Sequence, residues 1–317
     1  MSDTILRTSA SAAPEQALLD QSILGATAGD WLALLKPRVL YLVVYSGAAG
    51  LLVAPGGINP VLGFTAVLCI AMAAGAAGAI NMWYDRDIDA VMRRTSRRPI
   101  PAGRIAPEGA LAYGVALSAL SVLLMWLSTN LLAAMLLAGS IAFYVFIYTM
   151  WLKRRTPQNI VIGGAAGAFP PLIGWAAVTG HVALLPVVLF AIIFFWTPPH
   201  FWALSLFASG DYANAGVPML PVVAGQKATR LAVMRYTLWL VPLSLLPYVL
   251  HLTGPVYGAS AMVLGLMFVW HAWRVLRDRQ DEAGNSLTRD APAKAAFKFS
   301  ILYLFLMFGA LVVDHLI

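Results

Sequence analysis

Three oxygen-bearing side chains stand four residues apart in one short stretch of the sequence. They are Asn81, Asp85 and Asp89, in the segment Asn-Met-Trp-Tyr-Asp-Arg-Asp-Ile-Asp. In an α-helix this spacing puts them on one face, each about 40° from the last and about 6 Å further along the axis. Such a row can bind a divalent cation, and Mg²⁺ prefers carboxylates together with phosphate oxygens and water. Asp87 points to another side of the helix, so we expect the metal to be held by the other three residues.

Arginines follow this row directly, and the nearest candidates for chemistry are Arg94 and Arg98. Carboxylates attract cations and guanidinium groups attract anions. Their combination predicts a metal-bridged diphosphate, with the arginines gripping the remaining oxygens. The alternative is an ordinary loop at the positive face of a membrane, with a few acids that neutralise part of its charge. Arg93 and Arg97 fit that simpler role.

Other loops supply candidates of the same kind. Lys153 and Arg154 follow an apolar segment and are either anchors at the membrane boundary or diphosphate ligands. The same two roles apply to Lys36, for which we favour anchoring. Asp211 is the only acid in the loop that follows residue 205, and it could complete a second metal site opposite the first row.

A histidine lies beside two prolines in the segment Trp-Thr-Pro-Pro-His-Phe-Trp. Pro198 and Pro199 should break an apolar helix and leave backbone carbonyls free, which a membrane protein tolerates only near a cavity or another helix. His200 is then either a buried histidine bonded to a carbonyl or a substrate-binding residue. Axial ligation of a haem iron is one such substrate role.

The elements that carry these residues are predicted to be membrane-spanning helices. Of the 317 residues, 60% are hydrophobic and 11% are charged, whereas soluble domains carry about 25% charged residues. Apolar runs of roughly 18 residues or more, long enough to cross a bilayer, predict an all-α polytopic bundle of nine transmembrane helices. The predicted spans are 39–55, 60–84, 109–127, 130–149, 160–178, 182–205, 231–251, 256–273 and 297–316.

Positive charge is confined to one side of this layout. All 21 Lys and Arg residues lie in the N-terminal segment, in alternate loops or at the helix ends beside them. The positive-inside rule then predicts a cytoplasmic N-terminus, a C-terminus outside (periplasmic), and a candidate site on the cytoplasmic side. We predict a cytoplasmic tail over 1–30 and a single transmembrane domain over 31–317. The last inner loop, 274–296, mixes acids and bases and is expected to be solvated.

The first 30 residues contain several acids, which argues against a mitochondrial transit peptide and favours the plasma (inner) membrane of a bacterium. Cations that flank membrane spans have lipid as their neighbour, so we expect a lipid bilayer and no nucleic acid as partner. Cys69 is the only cysteine, which excludes an intrachain disulfide.

The sequence resembles a known family at these same residues. The row from Asn81 to Asp89, followed by Arg94 and Arg98, resembles the first aspartate-rich motif of the UbiA-type intramembrane prenyltransferases, whose fold also has nine helices. Further stretches resemble the members of that family that farnesylate haem, and the match runs from residue 30 to the C-terminus. These stretches are Lys36-Pro-Arg38, Thr156-Pro-x-Asn159-Ile-Val-Ile-Gly-Gly, Trp196-Thr-Pro-Pro-His-Phe-Trp and Asp211-Tyr-x3-Gly-Val-Pro-Met-Leu-Pro.

The resemblance implies transfer of the farnesyl group of farnesyl diphosphate to a vinyl group of haem b, giving haem O and diphosphate, with Mg²⁺ as cofactor. It implies a catalytic and metal-binding role for the first row, joined at the metal by Asp211. The substrate-binding residues it implies are Arg94, Arg98, Lys153, Arg154, Asp211, Tyr212 and His200. The sequence departs from the pattern at Gly210, where relatives often have a second acid, so the second motif is thinner here.

Two rival functions stay open at this point. Another UbiA-type prenyltransferase would act on an aromatic acid or a quinone precursor, and the first motif does not separate it from a haem enzyme. A secondary transporter also has many helices, although transporters place ionisable residues near the midplane rather than at one boundary. For the haem enzyme, the resemblance implies a haem A synthase or assembly factors of a terminal oxidase as protein partners.

Overall fold

The computed structural model describes residues 25–282 and 284–317, except for the side chain of Arg38. Most of the predicted tail over 1–30, and the boundary role of Arg38, therefore lie outside the described residues. The helices are α1 (Ala28–Leu34), α2 (Pro37–Leu52), α3 (Pro60–Tyr84), α4 (Arg86–Val91), α5 (Pro107–Ser128), α6 (Leu131–Ala142) with a π-helical continuation (Phe143–Leu152), α7 (Asn159–Thr179), α8 (Leu184–Phe207), α9 (Ser209–Asn214), α10 (Leu220–Val223), α11 (Gly225–Val249), α12 (Pro255–Leu276) and α13 (Ala291–Leu316).

The prediction of an all-α membrane bundle is confirmed. Within the described ranges, eight helices are long and apolar enough to cross a membrane, namely α3, α5, α6 with its π-helical continuation, α7, α8, α11, α12 and α13. Helices α1 and α2 meet at 62°, and the pair is either a ninth, broken span or a re-entrant segment. The first span starts earlier than predicted because Pro37, whose fixed φ suits a first helical turn, begins α2.

Asparagine side chains fix two helix starts in the bundle. The Asn59 carboxamide accepts the amide of Val61 at 2.9 Å, ahead of Pro60 at the first position of α3. Asn130 accepts the amide of Ala133 at 2.9 Å and also donates to the carbonyl of Ala176 at 2.7 Å. The second contact ties the start of α6 to the end of α7.

Glycines let α2 and α7 cross with their backbones in contact. A Cβ added at Gly50 would lie 2.2 Å from the carbonyl oxygen of Pro171, and one added at Gly174 would lie 2.1 Å from that of Gly47. Close approach through small residues is how helices associate in lipid, where burial of apolar surface gives no net attraction. The crossing holds α7 in the middle of the bundle, where it also packs on α8.

The expected helix break at Pro198 and Pro199 is wrong. Helix α8 runs without interruption from Leu184 to Phe207, through both prolines. Neighbouring contacts keep the helix on course where the proline amide bonds are lost. The Thr197 hydroxyl donates to the Ile193 carbonyl at 2.8 Å, and the indole of Trp196 donates to the Ser300 carbonyl in α13 at 2.8 Å.

The last inner loop is not simply solvated, which corrects the expectation for 274–296. Arg230, in the second turn of α11, is 1% exposed and donates to the carbonyl of Gly284 at 2.7 Å. Its guanidinium also lies 3.6 Å from carboxylate oxygens of Asp278 and Asp290. A buried arginine needs such partners. The contacts of Arg230 therefore hold the loop over 274–296 against the start of α11.

Candidate active site

The first row stays aligned although it crosses a helix junction. Helix α3 ends at Tyr84 and Asp85 lies between α3 and α4. The amide of Asp85 bonds to the carbonyl of Asn81 at 2.9 Å, and the amide of Asp89 bonds to that of Asp85 at 2.8 Å. The helical spacing therefore continues through the junction. The Asn81 carboxamide donates to Oδ2 of Asp85 at 2.7 Å, so the first two members are in direct contact.

The three residues of the row are buried, whereas Asp87, which lies between two of them in the sequence, is exposed. Asp85 is 0%, Asp89 is 2% and Asn81 is 3% exposed, whereas the Asp87 side chain is 61% exposed. A carboxylate taken out of water is costly unless cations or donors compensate it. The two buried aspartates are therefore the ones that require strong partners.

Three cations from three parts of the chain meet this row. The Lys153 ammonium donates to Oδ2 of Asp85, and the Arg98 guanidinium donates to Oδ2 of Asp89 at 2.5 Å. The Lys36 ammonium donates to Oδ1 of Asn81 at 2.6 Å. Of the two roles open to Lys36 in the sequence, this contact with Asn81 favours the one in the site.

Lys36 reaches Asn81 from an unusual backbone conformation. It sits between α1 and α2 with φ of 54°, in the left-handed region that costs a non-glycine residue roughly 1–2 kcal/mol. Strain of this kind persists only where the surroundings over-determine it, and it clusters at functional sites. In the sequence, Lys36 stood out as a possible diphosphate ligand and within the family-like stretch Lys36-Pro-Arg38, although we favoured anchoring.

Arg154 is held by the exposed acid. It donates to both oxygens of Asp87, at 2.7 and 2.6 Å, and to the carbonyl of Tyr84 at 3.0 Å. Its guanidinium also lies 4.9 Å from the centre of the Tyr84 ring and 3.5 Å from Oδ1 of Asp85. The hydrogen bond from Arg154 keeps the pKa of Asp87 below its usual value. Asp87 therefore positions Arg154 beside the row without being part of it.

Two residues predicted to bind substrate or metal have side chains without a partner. The Arg94 side chain is exposed and that of Asp211 is partly exposed, and neither makes a hydrogen bond or ion pair with the described residues. Between 25–282 and 284–317 no three His, Cys, Asp or Glu side chains lie close enough to hold a metal ion. Asp85, Asp89 and Asp211 therefore do not form one three-carboxylate group in the described part of the chain.

The two motif loops nevertheless pack against each other. Tyr212, next to Asp211, is 7% exposed and belongs to one apolar cluster with Ile88 and Met92 of the first motif. Val217 of the second loop completes that contact. The aromatic ring that we assigned to substrate binding therefore joins the two loops.

The donor chemistry of the row fits Mg²⁺. Two carboxylates and one carboxamide are oxygen ligands of the type this ion takes, and diphosphate oxygens and water normally complete its shell. Asp85 and Asn81 already lie within hydrogen-bond distance of each other. The residues that would hold the ion in the first motif are Asn81, Asp85 and Asp89, and Asp211 stays a prediction for a second position.

A π-helix, which the sequence did not reveal, shapes one wall of the site. The ten residues Phe143–Leu152 continue α6 in this wider form, which is rare and is frequent at functional sites. It directs Thr149 at the row, where the hydroxyl accepts a hydrogen bond from Asn81 at 3.2 Å. An apolar, aromatic sequence is compatible with an α-helix and with a π-helix, so only the folded structure distinguishes these two forms.

Two tyrosines of the same segment lie side by side. The ring centroids of Tyr144 and Tyr148 are 5.3 Å apart. The Tyr148 ring fits against Gly163 of α7, where an added Cβ would lie 2.3 Å from its Cδ2. The sequence analysis did not single out these tyrosines.

His200 is buried in a specific tautomer. Its ring lies between those of Trp196 and Phe297, at 4.3 and 4.7 Å, and its Nδ1 is 2.7 Å from the Ser300 hydroxyl. That hydroxyl donates its proton to the carbonyl of Phe297 at 2.7 Å, so it accepts from Nδ1–H. Nε2 then keeps its lone pair, and it has no hydrogen-bond partner among the described residues.

The family of the chain follows from its sequence as well as from this geometry. Residues 42–302 match the UbiA prenyltransferase family, and the chain belongs to that family. Two highly similar relatives are named protoheme IX farnesyltransferase. That of Acidiphilium cryptum is 89% identical over 317 residues, the whole of both chains, and that of Granulibacter bethesdensis is 66% identical over 292 residues, or 92% of each.

Solved structures share the fold. One of a digeranylgeranylglyceryl phosphate synthase aligns with a TM-score of 0.72 at 21% identity, over 90% of this chain and 98% of that one. A UbiA homologue from Archaeoglobus fulgidus, bound to DMAPP and Mg²⁺, aligns with a TM-score of 0.63 at 18% identity, over 88% and 99%. At these identities the likeness concerns the fold.

Proposed function

We propose that this chain transfers the farnesyl group of farnesyl diphosphate to a vinyl group of haem b, with haem O and diphosphate as products. The observation that carries the proposal is the 89% identity, over the full length of both chains, to a relative named for this activity. The buried row of acids with its cations, at one end of an apolar bundle, supports the diphosphate half of the reaction.

The diphosphate end of the site promotes departure of the leaving group. Fixed cations aimed at developing charge are the usual source of such catalysis. The Arg94 side chain is exposed and is free to bind diphosphate oxygens. Lys153 and Arg154 lie against Asp85, where the diphosphate would meet the row. Mg²⁺, when bound by Asn81 and the two buried aspartates, neutralises negative charge on the diphosphate. The Mg²⁺ structure of the A. fulgidus relative supports this part.

The tyrosine pair protects the allylic cation. Ionisation breaks the C–O bond and leaves positive charge on the farnesyl carbon, which water would quench. Tyr144 and Tyr148 belong to the π-helical segment whose Thr149 contacts Asn81, and in this proposal their rings stabilise a cation and occupy space that water would fill. The vinyl π electrons of the acceptor form the new C–C bond. Water then adds to the resulting porphyrin-side cation and loses a proton, which gives the hydroxyl of haem O.

His200 holds the haem in this proposal. Its Nδ1–H is fixed by Ser300, so the free Nε2 lone pair is the atom available to a haem iron or to a donor on the substrate. The aromatic rings on both faces of the imidazole prevent it from rotating. The haem would therefore approach in the plane of the ring.

The orientation of the bundle is inferred from charge. The end that carries the row also carries the Lys and Arg residues, so we place it in the cytoplasm, with the C-terminus outside, in a bacterial plasma membrane. Both proposed substrates are amphipathic, and they can reach this end from the bilayer. Cysteine labelling of single variants at 56 and 104, with an impermeant reagent on intact cells, tests the assignment. Labelling at 104 without labelling at 56 would reverse it.

The function is tested by incubating purified protein with haem b, radiolabelled farnesyl diphosphate and Mg²⁺. We expect label in the haem fraction, no label after chelation, and full recovery when Mg²⁺ is restored. Parallel reactions replace haem with an aromatic acid or a quinone precursor. Label in one of those acceptors, with none in haem, would replace the proposal with the other prenyltransferase activity.

A further inference from the structure

Each of the three side chains of the first row, Asn81, Asp85 and Asp89, already has a basic side chain as partner. Lys36 donates to Oδ1 of Asn81 at 2.6 Å, Lys153 donates to Oδ2 of Asp85, and Arg98 donates to Oδ2 of Asp89 at 2.5 Å. These are among the oxygens that a metal ion would bind, because amide and carboxylate oxygens are its ligands. A metal ion and these three donors therefore compete for the row.

We propose that Lys36, Lys153 and Arg98 are exchangeable counter-ions. They occupy the row until a divalent cation and a diphosphate arrive together, and then turn from the row to the diphosphate oxygens. This inference rests on the proposed function only in taking a diphosphate as the ligand; it requires neither haem nor a farnesyl chain. Lys36 thereby becomes a positioning residue of the site.

Charge balance favours joint binding. With Lys36 protonated, the cluster formed with Arg154 has four cations for the three carboxylates of Asp85, Asp87 and Asp89; with Lys36 neutral it has three cations for three carboxylates. In either case a divalent cation alone adds a surplus of positive charge. An ionised diphosphate alone adds a surplus of negative charge, and the two together come closest to neutrality.

The exchange also keeps the cations partnered. A metal ion that bound alone would displace the Lys153 ammonium from Asp85 and leave it partly buried without a counter-charge, which is costly. A diphosphate that bound alone would draw the same lysine away and leave the fully buried Asp85 with only the Asn81 carboxamide and the Arg154 guanidinium, at 3.5 Å, as partners. Each ligand supplies the partner that the other removes. The affinities of metal and diphosphate must then be coupled, and linkage makes that coupling reciprocal.

The coupling is measured on the full-length protein in nanodiscs, with Mn²⁺ as a paramagnetic probe and inorganic diphosphate as the anion. Mn²⁺–diphosphate formation in solution is subtracted with protein-free titrations. We expect diphosphate to tighten the Kd for Mn²⁺ by at least about tenfold, and Mn²⁺ to tighten the Kd for diphosphate by the same factor. Equal Mn²⁺ affinity with and without diphosphate would overturn the inference.

Lys153→Met tests the exchange directly. Without its competing ammonium, Asp85 should bind Mn²⁺ alone at least about fivefold more tightly than in the wild type, while diphosphate binds more weakly. The matched control is Arg155→Met, which removes a positive charge two residues away. The Arg155 side chain is exposed and has no hydrogen bond or ion pair with the described residues, so its loss should leave the Mn²⁺ affinity unchanged.

Three results would contradict the exchange: an unchanged Mn²⁺ affinity in Lys153→Met, a weakened one, or the same gain in Arg155→Met. Should Lys153→Met fail to fold, Lys36→Met provides the same measurement at Asn81, and the wild-type coupling stands as a test without any variant. Coupling by inorganic diphosphate in a protein that does not farnesylate haem would leave the exchange in place and remove only the proposed acceptor.

Discussion

Replacing Gly163 by alanine adds one methyl group at the point where α7 meets the π-helix. The added Cβ would lie 2.3 Å from Cδ2 of Tyr148, 2.9 Å from Cε2 and 3.1 Å from Cγ. Ordinary contact begins at 3.4 Å, so the nearest distance is 1.1 Å too short. An aromatic ring has no flexible end that can bend away, and therefore either the whole ring or the helix must move by about 1 Å.

The expected cost appears in both stability and rate. Overpacking of a close contact costs typically about 1–3 kcal/mol of folding free energy. A displacement of about 1 Å near reacting groups can cost on the order of a hundredfold in rate. Because Tyr148 belongs to the π-helical segment whose Thr149 contacts Asn81, we expect turnover of Gly163→Ala to fall by about ten- to a hundredfold.

Gly167→Ala provides a matched control in the same helix. It is the same chemical change one turn away, and no atom lies within 4 Å of the added Cβ. Turnover and thermal unfolding of both variants are measured in nanodiscs, and we expect Gly167→Ala to match the wild type. The double variant Gly163→Ala with Tyr148→Ala should regain thermal stability without regaining turnover. Equal turnover and equal melting temperatures in the two single variants would refute the packing argument.

Three further outcomes are expected. Asp85→Ala should lower turnover by at least about a hundredfold, because it removes a proposed metal ligand and leaves the Lys153 ammonium without its carboxylate. Asp87→Ala, at the exposed acid, should retain most of the turnover. Comparable losses in two variants that stay inserted in the membrane would contradict the assignment of Asp85 to the metal-binding row. His200→Ala should weaken haem binding, followed by absorbance titration, more than farnesyl diphosphate binding, and unchanged haem affinity would remove His200 from the site. Chelation of divalent cations should stop diphosphate release, and added Mg²⁺ should restore it; release that continues in excess chelator would exclude the metal.

The sequence was sufficient for the class of protein and for the first row. Hydrophobicity and charge are properties of single residues, so nine spans and a positive face are visible without a structure. The spacing of Asn81, Asp85 and Asp89 is also local, since helical hydrogen bonds carry it across the junction after α3. The roles of these residues at a metal stay predictions.

Local rules failed where distant segments compensate a local defect. Two adjacent prolines predicted a break, yet α8 continues because contacts such as that of Trp196 with Ser300, 104 residues along the chain, hold it. A mixed-charge loop predicted solvation, yet Arg230 is buried against it. In both cases the deciding partner is far away in sequence.

The partners of the row were decided by tertiary structure alone. Lys36 meets Asn81 across 45 residues and Lys153 meets Asp85 across 68. Charge and position at a helix end do not distinguish these lysines from the cations that anchor helices at a membrane face, and only the family resemblance pointed to Lys153. The difference lies in burial: an anchoring lysine ends in water or among headgroups, whereas these two end on oxygens that the bundle has removed from water, and only the packing of α2, α3 and the π-helix determines which oxygens those are.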